Sequence, residues 1–170
     1  YSTGRPKADQ SPYESIESGL ASCTGLSVLL IDACRAVGVP ARFVGTPLWA
    51  DGSGNHSWIE VYHKGGWHFT GAAEPTGNQL DRGWFLGRAS KAQADHPQHA
   101  IFATSYKPTG RSFPMVWLPK ATFVHAVNVT SRYLPRKTVP TGPDAAVSAI
   151  ALKSLATWLK QPRDKRPPLA

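Results

Sequence analysis

The chain has 170 residues, 41% of them hydrophobic, with 15 glycines and 15 prolines. That composition suits one loop-rich domain and excludes a disordered or collagen-like polymer. The formal net charge of +8 reads first as plain solubility and second as long-range steering of acidic partners, yet no basic sheet interleaved with aromatics and no recognition helix accompanies it, which argues against nucleic acid. No run of about 18 apolar residues is present, so no membrane insertion is expected, and a start at Tyr1 reads as a processed product or a piece of a longer chain.

Residues 1–18 are polar, interrupted by Pro6 and Pro12, and are expected to be irregular. Ser22 then suits a helix N-cap, and the apolar run over residues 24–37 predicts a central, buried helix. Gly38 fits the position after that helix and Pro40 forbids its continuation. Residues 41–46 read as a strand, Asp51-Gly52-Ser53-Gly54-Asn55 as a turn-rich loop, and residues 56–63 and 67–70 as the two arms of a hairpin around Lys64-Gly65-Gly66. Residues 77–98 suit loop with one short helix. Strand candidates resume at 99–106, 113–118 and 122–133, and a helix is expected over 143–160, followed by a loose basic tail at 161–170. One helix followed by antiparallel strands predicts an α+β fold.

Cys23 and Cys34 are the two cysteines. Their separation is about three helical turns, roughly 16 Å of rise, whereas a disulfide needs Cα atoms within about 7 Å. They are not expected to bridge. Cys34 lies mid-helix among Ile31, Ala33 and Val37 and reads as structural. Cys23 lies at the helix mouth, where the macrodipole and free N–H groups favour thiolate and the same N–H groups suit an oxyanion. Small neighbours, Ala21, Ser22 and Gly25, leave room for a substrate.

A cysteine nucleophile needs a base. On the first hairpin arm Ile59, Val61 and His63 share one face, and His56, Trp58, Glu60 and Tyr62 the other. If the Ile59/Val61 face is the core, His56 points toward a cleft. A three-residue Lys64-Gly65-Gly66 loop pairs His63 with Trp67 and Val61 with Phe69, and sets His56 opposite Glu74. A carboxylate there would hold the imidazole's tautomer. A two-residue loop, or a bulge at Gly71-Ala72-Ala73, would change that count. Trp49, Trp58, Trp67 and Trp84 suit either pocket walls or core, with core favoured for Trp67; Ser22, Trp49 and Trp58 are the substrate-binding candidates.

Three segments together resemble the transglutaminase-like superfamily. Ser18-Gly19 through Cys23, with the apolar helix ending Arg35-Ala36-Val37-Gly38-Val39-Pro40-Ala41-Arg42, resembles its nucleophile segment. Asn55-His56-Ser57-Trp58-Ile59-Glu60-Val61-Tyr62 resembles its histidine segment, and Gly66-Trp67-His68-Phe69 through Glu74-Pro75-Thr76 the segment that supplies the third residue. The resemblance covers about residues 15–80. It departs where Glu74 stands in a place usually held by Asp before Pro. It implies a papain-like core, with 1–142 as the catalytic domain and the 143–160 helix packed on it. It also implies a Cys23–His56–Glu74 triad acting on a protein or peptide substrate, in a monomer or part of a larger chain. The chemistry is acyl transfer through a thioester, leaning to peptide or amide hydrolysis, with glutamine crosslinking as the alternative. No cofactor or metal is needed for it; the 51–55 loop is too short and too poor in acid for the calcium that animal crosslinkers use.

Two other readings compete. A zinc site could draw on His56, His63 and His68, but the expected register leaves only His56 and His68 on one face, too few ligands. A catalytically silent binding module on the same fold would be expected to have a broken triad. Asn128-Val129-Thr130 fits a glycosylation pattern in a strand-like context. His96, His99 and His125 have no evident partner, and the compartment is not legible.

Overall fold

A computed structural model describes residues 1–74 and 76–135. The expected helix over 143–160, the tail at 161–170, the basic residues from Arg136 onward and Pro75 lie outside the described residues.

The first element is one the sequence reading did not include. Helix α1 spans Pro12–Ser18 inside the stretch taken as irregular. Its start is a capping box: Ser11 Oγ accepts from the Glu14 N–H at 3.3 Å, and the Glu14 carboxylate accepts from the Ser11 N–H at 2.7 Å. Pro12 occupies the first turn, where its missing N–H costs nothing, and Gly19 ends the helix at φ 64°. Ser11-Pro12-Tyr13-Glu14 was therefore a readable signal.

Helix α2 spans Cys23–Ala36 and ends as its sequence requires. The Gly38 N–H donates to the Arg35 carbonyl at 3.0 Å and the Val39 N–H to that of Cys34 at 2.9 Å, with Gly38 at φ 78°. Strands β1 (Ala41–Thr46), β2 (His56–His63), β3 (Gly66–Thr70), β4 (Phe102–Ser105) and β5 (His125–Asn128) form one antiparallel sheet in the order β3-β2-β1-β4-β5. A short helix α3, Leu86–Ala89, lies in the long segment between β3 and β4. Residues 113–118 form no strand; only Ser112 bridges to His125. The fold is α+β, as expected.

Both faces of the sheet are covered, which the alternation in β2 did not reveal. On one face Ile31 and Cys34 of α2 pack on Ala41, Ile59 and Val61. On the other, Val44, Trp58 and Phe69 pack against Trp49, Phe85, Ile101 and Tyr133, supplied by the loops and α3. Trp58, Ile59 and Phe85 have no exposed surface. The expectation that only the Ile59/Val61 face is core is thus corrected: residues 56–61 of β2 are buried on both sides, as in the middle of a two-sided sheet. Trp67, favoured as core, lies half-buried at the edge strand with the Arg42 guanidinium 4.0 Å above its ring.

The hairpin register also differs from the expectation by one residue. Lys64 and Gly65 alone form the loop, with φ of 46° and 83°, so both central residues are left-handed as a tight two-residue turn demands. His63 pairs with Gly66, Val61 with His68 and Glu60 with Phe69. His68 therefore shares the Val61 face, not that of His56, and its Nδ1 meets Asp81 at 2.6 Å. Cys23 and Cys34 are free thiols. Among the described residues no single helix is long and apolar enough to cross a membrane.

Candidate active site

Cys23 is the first residue of α2 and is 8% exposed. Ser22 has the extended backbone of an N-cap, but its side chain caps nothing, and its buried hydroxyl has no partner among the described residues. The capping bond the sequence led us to expect is absent. The turn is held from elsewhere. The Gln10 amide, 1% exposed, donates to the Leu20 carbonyl at 2.9 Å and to Ser18 Oγ at 3.1 Å, fastening the chain just ahead of the nucleophile position. Gly25 permits close packing: a Cβ there would stand 3.1 Å from that of Ala21 and 3.3 Å from Ser15 Oγ.

His56 opens β2 opposite Thr46. Its Nε2 lies 2.7 Å from Glu74 Oε1, which leaves Nδ1 as the ring nitrogen not engaged by Glu74, and the Cys23 thiol is near enough to raise the ring's pKa. The pairing of His56 with Glu74 does not arise from the hairpin ladder. Strand β3 stops at Thr70, and a turn closed by the Glu74 N–H on the Gly71 carbonyl at 3.1 Å swings the carboxylate back. Gly71 makes room for it: a Cβ there would lie 2.8 Å from Glu74 Cγ. The two-residue loop and the tight turn offset one another, so the residues expected to meet do meet by a different route.

Aromatic rings enclose the imidazole. Trp84 lies 4.9 Å from it, Phe85 5.2 Å, Trp58 5.6 Å and Trp49 6.1 Å, centroid to centroid. His56 and Glu74 are each 5% exposed, so their mutual attraction is little screened. Burial pushes the Cys23 thiol up, but the His56 hydrogen bond and charge and the N–H groups of Ser57 and Thr24 outweigh it, and the thiol ends below its ordinary range. Burial pushes His56 down, but hydrogen bonds with Cys23 and Glu74 and their charges win, and the imidazole ends above its ordinary range. Opposite shifts on touching groups favour a thiolate–imidazolium pair. Cys34 is raised, by burial.

The sulfur borders a cleft of about 240 Å³ lined by Ser22, Thr24, Asn55 and Trp117 and, on its far wall, by Tyr1, Thr3, Arg5 and Ala8. Of the three substrate-binding candidates, Ser22 borders this cleft. Trp49 and Trp58, at 2% and 0% exposure, stand in the core behind His56 and offer no surface to a ligand. Trp84, 56% exposed, is the tryptophan that touches both His56 and solvent. Asn55 and Trp117 were not singled out from sequence. Asn55 adjoins His56 in the chain, whereas nothing local to residues 113–124 shows that this segment folds over the cleft.

A buried polar network backs the site. The Trp58 indole N–H donates to Tyr133 Oη at 2.9 Å, Tyr133 donates to Glu60 Oε1 at 2.9 Å, and Arg42 donates twice to Glu60 Oε2, at 2.7 and 2.5 Å. Burial, and then the Glu60 charge, hold the Tyr133 phenol well above its ordinary value. Glu60, 2% exposed, is thus met by a cation on one oxygen and a hydroxyl on the other. Among the described residues no group of three His, Cys, Asp or Glu side chains forms a metal-binding cluster.

Residues 1–71 match the family model of the transglutaminase-like superfamily. Proteins of this superfamily are papain-like cysteine acyltransferases and proteases. The α+β architecture, with α2 against an antiparallel sheet, is consistent with that core. Searches of curated proteins and of solved structures returned no match.

Proposed function

We propose that this protein is a cysteine-dependent amide hydrolase working through an acyl-thioester on a peptide substrate. The observation that carries this reading is the position of His56, paired with Glu74 at 2.7 Å and near enough to Cys23 for thiol and imidazole to shift each other's titration. In the first step the Cys23 sulfur attacks an amide carbonyl and the tetrahedral oxyanion forms. The N–H groups in the first turn of α2, which have no partner within the helix, can act as donors for it. His56, as imidazolium, gives its proton to the departing amine, the C–N bond breaks and a thioester remains. Water then enters, His56 takes its proton, the C–S bond breaks, and the acid leaves with the thiolate and imidazolium restored. Glu74 holds the imidazole and offsets its charge, the orienting role of the third triad member.

Hydrolysis is favoured over crosslinking because, among the described residues, those lining the Cys23 cleft include no carboxylate to receive an amine. The test is mass spectrometry of peptide-library products with and without added primary amine. Cleaved or deamidated products that persist in excess amine are the expected result. Products that take up the amine in place of water would assign crosslinking, and no Cys23-dependent product at all would leave a binding module on this fold.

A further inference from the structure

We propose that a second cavity, beside the Cys23 cleft, is a substrate subsite for a large apolar side chain, aromatic or branched aliphatic, on the residue whose carbonyl Cys23 attacks; this rests on reading Cys23 as the nucleophile. The cavity holds about 550 Å³, inside the roughly 300–1,000 Å³ of ligand sites. Val28 and Ile31 of α2, Phe43 of β1 and Phe113 supply apolar wall. Thr24 and Trp117 line both this cavity and the Cys23 cleft. Thr24 is the residue next to the nucleophile, so the two spaces adjoin one another one residue from Cys23.

The mouth is apolar as well. Tyr106, Phe123 and Leu118 line it and are 81%, 72% and 46% exposed. Large apolar side chains left uncovered together mark a binding surface. The charges at the rim set what enters. Arg35 is engaged with the Ala41 carbonyl at 2.9 and 3.2 Å and lies over the Tyr106 ring. Asp9 and Asp32, both exposed, leave a negative rim that repels acidic side chains. The acyl portion of a substrate stays bound to sulfur through both chemical steps. A pocket adjoining Thr24 therefore acts on it throughout, which is why the side chain is placed on the acyl side.

The test is the rate at which Cys23 in the full chain is alkylated by the chloromethyl ketones of N-acetyl-phenylalanine and N-acetyl-alanine, with mass mapping to separate Cys23 from Cys34. The phenylalanine reagent is expected to react at least about tenfold faster, the scale of discrimination by an apolar pocket. Val28→Trp, which fills the cavity, is expected to bring the ratio near one while leaving the rate with iodoacetamide unchanged. Phe123→Ala alters only the exposed mouth and is expected to lower the ratio partway. A ratio near one in the wild type, or a ratio that neither variant lowers, overturns the subsite. The nucleophile reading fails separately, if iodoacetamide labels Cys23 no faster than Cys34.

Discussion

Gly71 and Glu74 are fitted to each other so closely that a methyl group on the glycine would stand 2.8 Å from the glutamate's Cγ. This contact is what lets a carboxylate four residues past the end of β3 reach His56.

Gly71→Ala is therefore expected to act on chemistry more than on folding. It displaces the Glu74 side chain by a fraction of an ångström to an ångström, and misplacement of that size costs turnover about 10²-fold. Glu74→Gln, which keeps the shape and removes the charge, is expected to lower turnover further and to bring the His56 pKa down, because one of the groups raising it is gone. Nuclear magnetic resonance titration of the His56 ring measures this; an unmoved pKa in Glu74→Gln would remove Glu74 from the proposed mechanism.

Cys23→Ala is expected to abolish turnover, by roughly 10⁴-fold or more, and to leave the protein folded, its thermal transition changed only by what the pairing of Cys23 with His56 contributes. Cys34→Ala is expected to keep turnover and to lose some stability, because Cys34 packs in the cluster of Ile31, Ile59 and Val61. Paired rate and melting measurements separate the two thiols.

The pH dependence follows from the opposed shifts. Cys23 is lowered and His56 raised, so the two titrations are drawn toward each other and the groups titrate as a unit. Alkylation of Cys23 is expected to persist at pH values below the ordinary thiol range. Turnover is expected to fall on the acid side as Cys23 gains a proton and on the alkaline side as His56 loses one. For stability, a raised His56 contributes fully below its unfolded value, and that contribution is lost as pH climbs through the folded value. A lowered Cys23 contributes above its unfolded value, and that contribution is lost as pH falls through the folded value. Chemical denaturation across pH, in wild type and Cys23→Ala, checks the sign of each limb.

Glu60→Gln is expected to destabilise the fold by about 3–5 kcal/mol, because it strands the Arg42 charge in the interior. Tyr133→Phe leaves the Trp58 N–H and Glu60 Oε1 short of a partner and is expected to cost about 1–3 kcal/mol. Urea unfolding of both variants tests the ranking; a Glu60→Gln protein as stable as the wild type would contradict the buried pairing.

Elements governed by local rules were legible. Helix α2, with its Gly38 and Pro40 stop, and strands β1 and β2 have the bounds that propensity and alternation suggest, and α1 would have followed had the Ser11–Glu14 box been weighed. The errors came from what neighbours decide. Alternation in β2 cannot say that loops and α3 bury the Trp58 face, so His56 was placed facing a cleft when it lies beneath aromatic rings. A single residue in the hairpin loop moves every later side chain to the opposite face. Lys64 in a left-handed conformation is what defeated the count, since lysine carries no strong signal for that geometry. The meeting of His56 with Glu74 was anticipated with the wrong register, and the turn at Gly71 is why the two agree. The cleft itself was hidden: its walls come from the amino-terminal residues and from residues around Trp117, far apart in sequence.

The far wall of that cleft, Tyr1 to Ala8, is moored to the segment before the nucleophile by the Ser2 N–H on the Ala21 carbonyl at 2.9 Å. Any label or substitution placed within residues 1–8 would thus reshape the rim of the space beside Cys23, and rates are comparable between preparations only when that segment is left as it is.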